Sequence, residues 1–183
     1  LTNSASKILK IAEILNIPCF PTWNGMDTVT SDFKLYGGRV GTYGGPGRNL
    51  GIQNCDLLLG LGTRVSGRIT GGNPSTFARE AKKYMVDVDK AGLQRFLQQV
   101  PFEECIYSDA KLFIELLMER LKTTELPDFS KWTDRVMEWK TKYDPVTKDM
   151  FKSTKYPHPY AFSRILSEEM KSDDVFCGDC GGN

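Results

Sequence analysis

Residues 56–62, DLLLGLG, run almost wholly apolar between turn-forming neighbours, the pattern of a strand buried on both faces of a parallel sheet. Parallel strands cannot be joined by a tight hairpin. Each needs a crossover of about a dozen residues or more, usually a helix, and the flanking sequence supplies them. SASKILKIAEIL (4–15) places Ile8, Ile11, Ala12, Ile14 and Leu15 at helical spacing, with Ser4 as N-cap and Asn16 as stop. IPCFPTW (17–23) reads as a strand ended by the turn pair Asn24–Gly25, and Arg48 to Asn54 as a short helix leading into the apolar run.

Beyond the run, the order continues with a short helix over Thr76–Ala81, a strand over 83–89 (KYMVDVD) and a helix over 91–99. A strand over 103–109 then leads into an amphipathic helix, AKLFIELLMERL (110–121), with Leu112, Phe113, Leu116, Leu117 and Leu121 expected inward. This alternation predicts an α/β fold, a doubly wound parallel sheet with helices on both faces. Residues 1–122 would form that domain. Residues 123–158, rich in proline, tryptophan and charge, read as a linker holding one helix near 129–142. Residues 159–183 read as a helix, a strand and a second glycine-rich turn, the beginning of another α/β domain. The start at Leu1 and the stop at Asn183 fit a piece of a longer polypeptide.

Apolar residues at 40% and charged ones at 26% are the balance of a chain that folds rather than stays disordered. A net charge of +1, from 24 basic and 23 acidic residues, gives no electrostatic reason to expect nucleic acid or an anionic membrane. No apolar run approaches the ~20 residues that cross a bilayer, and the expected location is cytoplasmic. The pair Cys177–Cys180 superficially resembles a redox or metal motif, but zinc needs about four ligands, His158 is the sole histidine and no second cysteine pair exists, so a structural role is expected and no metal site.

Ligands of open parallel sheets settle beyond the carboxyl ends of the strands, and four features should gather there. The stretch 37–50, GGRVGTYGGPGRNL, holds six of the seventeen glycines. Gly41, Thr42, Tyr43 and Gly44 are thus either a cradle of backbone N–H groups for an anion or a plain turn. After the apolar run, Thr63, Arg64, Arg68 and Ile69 offer two guanidinium forks suited to phosphate, or simply to surface acids. Asp87 with Val88, and Asp109, end the next two strands, where a carboxylate either holds a ribose hydroxyl or caps the following helix. No nucleophile elbow, P-loop or zinc-protease motif occurs, so no residue of this chain is expected to be catalytic.

The segments TWNGMDTV (22–29), LYGGRVGTYGGPGRNLGIQNCDLLLGLGTRVSGRITG (35–71), FAREAKKYMVDVD (77–89) and YSDA (107–110) together resemble the central domain of the acetolactate synthase family of thiamine-diphosphate-dependent enzymes. The resemblance implies that the whole polypeptide decarboxylates a 2-oxo acid such as pyruvate and transfers the remaining carbon unit to an acceptor. Thiamine diphosphate and Mg²⁺ would be held by flanking domains, in at least a homodimer or homotetramer. It further implies FAD, with no redox part in the main reaction, on Gly41–Gly44, Thr63, Arg64, Arg68, Ile69, Asp87, Val88 and Asp109. Gly182 and Asn183 would approach the coenzyme diphosphate. Ser66 and Gly67 stand where those synthases usually carry acidic residues, and Tyr43 where they carry histidine, departures that fit a divergent branch. A non-catalytic nucleotide-binding module and a structural spacer are the other two readings the residues leave open.

Overall fold

The computed structural model describes residues 4–42 and 44–178. Two compact units succeed one another, dividing between Tyr143 and Asp144.

The first unit is built on three parallel strands, β1 (Leu57–Leu61), β2 (Lys82–Asp87) and β3 (Glu104–Tyr107), in the order β1-β2-β3. The register pairs Leu59 with Tyr84 and Val86 with Ile106. Helices α1 (Ala5–Leu15), α2 (Pro46–Gln53), α3 (Gly67–Thr70), α4 (Lys90–Leu97), α5 (Ala110–Leu121) and α6 (Ser130–Lys142) surround the sheet. Because side chains alternate across a strand, β2 feeds two cores. Met85 enters one with Ile52 and Cys55 near α2, Phe77, Ala78 and Leu93 of α4. Val86 points to the opposite face, where α5 crosses β2 and brings Ile114, and α1 packs on α5. The α/β architecture expected from the alternation is present.

Several elements differ from expectation, each for a local reason. β1 is not buried on both faces: Leu57 is 55% exposed and Leu59 39%, and among the described residues β1 pairs with β2 alone. Residues 17–23 form no regular strand. Pro18 and Pro21 remove amide donors, leaving one parallel bridge between Cys19 and Tyr36 before a 3₁₀ turn at Trp23–Gly25. Residues 76–81 form no helix. A 3₁₀ turn over Pro74–Thr76 is capped by Asn73, and Ala78, at φ 43°, breaks any continuation while its amide binds the Gln53 side chain. On α5 the inward stripe is Phe113, Ile114, Leu117 and Leu121, whereas Leu112 and Leu116 are exposed. These two sit four residues apart on a flank that neither the sheet nor α1 covers.

Asn16, in the left-handed region at φ 48°, ends α1, and its amide binds the last-turn carbonyls of Ala12 and Glu13. The Asn16 carbonyl accepts from the Thr133 hydroxyl of α6 at 2.6 Å. α6 also packs along α2, so it belongs to this unit.

The second unit holds a 3₁₀ turn at Lys148–Phe151 and α7 (Pro159–Glu169). His158 caps α7, its Nδ1 accepting from the Tyr160 amide at 3.2 Å, which gives the sole histidine a structural task. Arg164 donates to both oxygens of Asp144. Residues 174–178 carry no strand. The rest of the expected strand and glycine turn, including Gly182 and Asn183, lies outside the described residues.

Two measurements test this packing. Ile114 is fully buried, so Ile114→Ala should lower the unfolding free energy by about 2–5 kcal/mol. Leu116→Ala, at an exposed site, should change it by no more than about 0.5 kcal/mol, both read by urea denaturation. Burial pushes the Cys19 and Cys55 thiols up to about 11, so neither offers thiolate near neutral pH. Iodoacetamide at pH 8 should therefore label the exposed Cys177 in the native protein and reach Cys19 and Cys55 only after denaturation, as peptide mass spectrometry would read. The same raised values mean that stability from keeping these thiols neutral is intact below about pH 9 and is lost as pH rises toward about 11.

Candidate functional site

The carboxyl ends of β1 and β2 open onto the same side of the first unit. After β1 the chain turns at Gly62, φ 57°, whose amide binds the Val86 carbonyl at 2.8 Å. It then presents Thr63, whose hydroxyl bonds that of Thr22 at 3.1 Å, and the exposed Arg64. Ser66 begins the single turn of α3, which carries Arg68. Among the described residues neither the Arg64 nor the Arg68 guanidinium engages in an ion pair or hydrogen bond. Ile69 is a packing residue instead, partly buried against the core around Met85.

The glycine-rich loop lies against α3. Gly41, at φ 107°, adopts a backbone conformation that side chains disfavour. A Cβ there would stand 2.2 Å from the Arg68 carbonyl oxygen, so the two backbones meet directly. The Thr42 amide donates to that same oxygen at 2.9 Å. From the other side, Asn49 of α2 takes both polar groups of Gly41. Its Oδ1 accepts from the Gly41 amide and its Nδ2 donates to the Gly41 carbonyl, each at 2.9 Å. Arg48 donates to the Gly44 carbonyl at 3.0 Å. Tyr43 lies outside the described residues.

A cavity of about 180 Å³ adjoins this edge, lined by Arg64, Ser66, Asp87, Asp89, Gly92, Arg95 and Phe96. Pockets that enclose a whole drug-sized ligand run about 300–1,000 Å³. This one suits a planar ring or a phosphate, a part of a dinucleotide rather than all of it. Its two arginines face two aspartates, so the charge is balanced. Asp87 Oδ1 accepts from the Asp89 amide at 2.8 Å. Asp89 Oδ1 caps α4 through the Gly92 amide at 2.9 Å, while its Oδ2 pairs with Arg95 at 3.8 Å, an exposed contact worth about 0–1 kcal/mol. Asp109 caps α5 by accepting from the Lys111 and Leu112 amides. Each strand-end aspartate thus binds main-chain amides through one oxygen, Oδ1, and Val88 between the first two is exposed.

The fold therefore brings Arg64 and Asp87 into one cavity, and joins Gly41 and Thr42 to Arg68. Asp109 is not among the cavity's lining residues. Asn49, although inside the glycine-rich stretch, and Arg95 and Phe96 are not among the site residues expected from the sequence: Asn49 reaches Gly41 and Arg95 reaches Asp89 across gaps of several residues that only the folded helices close. Among the described residues no group of three His, Cys, Asp or Glu side chains is placed to hold a metal ion, and no helix is long and apolar enough to cross a membrane.

The sequence of residues 1–117 matches the model of the thiamine pyrophosphate enzyme, central domain. A probable acetolactate synthase large subunit of Methanocaldococcus jannaschii is 30% identical over 95% of this chain and 28% of its own length. The acetolactate synthase large subunit of Corynebacterium glutamicum is 29% identical over 93% of this chain and 26% of its own. In Escherichia coli, the isozyme 2 large subunit is 34% identical over 45% of this chain and 15% of its own. The chain thus spans about a quarter of the length of the first two relatives. With three parallel strands wrapped in helices and a match across 1–117, this chain belongs to the family of thiamine pyrophosphate enzyme central domains and resembles those of acetolactate synthases.

Proposed function

We propose that this chain is the central part of a thiamine-diphosphate-dependent enzyme that decarboxylates a 2-oxo acid and transfers the remaining carbon unit, as an acetolactate synthase does with pyruvate. Its own task in that enzyme is to hold a dinucleotide, FAD, at the carboxyl ends of β1 and β2. The observation that carries this reading is the pair Arg64 and Arg68. Both guanidinium groups are exposed and uncommitted among the described residues, beside a glycine loop hydrogen-bonded to the Arg68 backbone. Charge-assisted forks of this kind suit a pyrophosphate.

The donor set fits the dinucleotide in part. Arg64 and Arg68 would hold the pyrophosphate, the Gly41–Gly44 loop and Thr63 would line its path, and the cavity of Arg64, Ser66, Asp87 and Arg95 would take one ring. Asp87 and Asp109 would contribute mainly as caps that fix the strand ends, since one oxygen of each already binds backbone amides. Ile69 would support the seat from the core, and Val88 would meet the ring from the exposed side.

Thiamine diphosphate, when bound by the full-length enzyme with Mg²⁺, supplies the electron sink for decarboxylation. Gly182 and Asn183 would approach its diphosphate. Catalytic residues would come from flanking parts of the polypeptide, leaving residues 1–183 inactive alone. Residues 1–122 would serve as the dinucleotide domain, 123–158 as its linker, and 159–183 as the opening of the coenzyme domain. The full-length enzyme would work as a cytoplasmic homodimer or homotetramer on a small 2-oxo acid, without nucleic acid or membrane.

Small molecules released by denaturing the purified full-length protein, identified by mass spectrometry, test the reading. FAD together with thiamine diphosphate is the expected result. Thiamine diphosphate alone would make this domain a spacer, and neither, after both were supplied with Mg²⁺, would remove the enzymatic reading. Replacing Arg64 and Arg68 together by alanine should weaken FAD binding by about 100-fold or more while thermal unfolding stays within a few degrees of wild type. Unaltered flavin content would end the assignment of the two arginines.

A further inference from the structure

We infer that Asn49 is the positioning residue of this site: its side-chain amide locks the glycine loop onto the arginine-bearing turn, so that the two act as one pre-arranged seat. The inference rests on the dinucleotide reading for its binding consequence and on the geometry alone for its structural one.

One primary amide saturates one residue of the loop. Asn49 Oδ1 accepts from the Gly41 amide and Nδ2 donates to the Gly41 carbonyl, both at 2.9 Å. Only an amide of this length can do so. An aspartate would set a second acceptor against the Gly41 carbonyl, an alanine would leave both groups without this partner, and glutamine is a methylene too long. The paired bonds fix the orientation of Gly41 as well as its distance. That orientation matters because the loop's opposite side abuts α3, where the Thr42 amide and hydroxyl both reach the Arg68 carbonyl, at 2.9 and 3.3 Å.

The bracket that carries Asn49 is itself close-packed. A Cβ on Gly47 of α2 would stand 2.4 Å from the Trp139 carbonyl oxygen of α6, and one on Gly51 would stand 2.6 Å from the Phe20 ring. A connected path therefore runs from α6 through α2, Asn49, Gly41 and Thr42 to the backbone of Arg68. Among the described residues the Arg68 guanidinium has no partner, while its main chain is held. Binding then orders one side chain instead of a loop. Ordering two or three further residues on binding would weaken affinity by about tenfold or more.

A positioning role and a contact role predict different signatures. Asn49→Ala removes no charge, so FAD should bind about tenfold more weakly with the salt dependence of wild type. Arg64→Ala/Arg68→Ala should flatten that dependence. Thr42 hydrogen-bonds Arg68 and not Asn49, so its amide reports the coupling itself. Residue-resolved hydrogen–deuterium exchange should show it exchanging at least about tenfold faster in Asn49→Ala.

Gly41→Ala, which presses on the Arg68 carbonyl, should produce the same pair of effects. Asn54→Ala, which removes a bond to the Leu50 carbonyl at the far end of α2, should produce neither. If Asn49→Ala fails to fold, Asn49→Asp in the full-length protein is read by the same two measurements. Unchanged exchange at Thr42, or unchanged FAD affinity, in the Asn49 variant overturns the inference. Should wild type bind no FAD, the dinucleotide role of this domain falls, and exchange at Thr42 alone decides whether Asn49 is the lock.

Discussion

Two consecutive side chains of β2, Met85 and Val86, are 1% and 0% exposed on opposite faces of one strand. The first unit depends on that arrangement. A strand with neighbours on both edges and apolar residues on both faces must be covered twice, by α2 and α4 on one side and by α5, backed by α1, on the other. Once β2 is central, the parallel order β1-β2-β3 brings the strands' carboxyl ends to a common edge. The segments that follow them, Thr63–Arg68 and Asp87–Asp89, are delivered there without any contact between their own side chains needing to be strong.

The edge so created is held by main chain more than by side chain. Gly41 meets the backbone of Arg68, and Gly62 donates to the Val86 carbonyl. Asp89 and Asp109 accept from the first amides of α4 and α5. Backbone groups left open at helix starts must find partners, and the strand-end aspartates meet that need with one carboxylate oxygen each. Exposed arginines carry no such obligation. This division explains why the arginines are the better ligand candidates, although aspartates and arginines looked equally suited when judged by position after a strand.

Much of this was legible from residue order. The apolar runs at 56–62 and within KYMVDVD, each bounded by polar or turn residues, marked β1 and β2, and the 3.6-residue stripe within AKLFIELLMERL marked α5. The readings that failed turned on partners. Leu57 and Leu59 are as apolar as a buried strand requires, yet whether their face is covered depends on what packs against it. Leu112 and Leu116 have helical spacing as good as that of Phe113 and Leu117, and only the placement of α1 and the sheet decides which stripe is covered. IPCFPTW has strand composition, but its two prolines leave too few donors for a ladder.

By itself, then, the sequence determined the α/β class, the places where strands end, and the presence of glycine and arginine just beyond them, since these follow from local pattern and backbone sterics. Tertiary structure alone decided that Leu57 and Leu59 are exposed, that Asn49 reaches Gly41 and that Arg95 turns back toward Asp89. These contacts join residues whose separation in the chain carries no period, and they exist only because packing α2 and α4 against the sheet brings their side chains within hydrogen-bonding or ion-pairing reach.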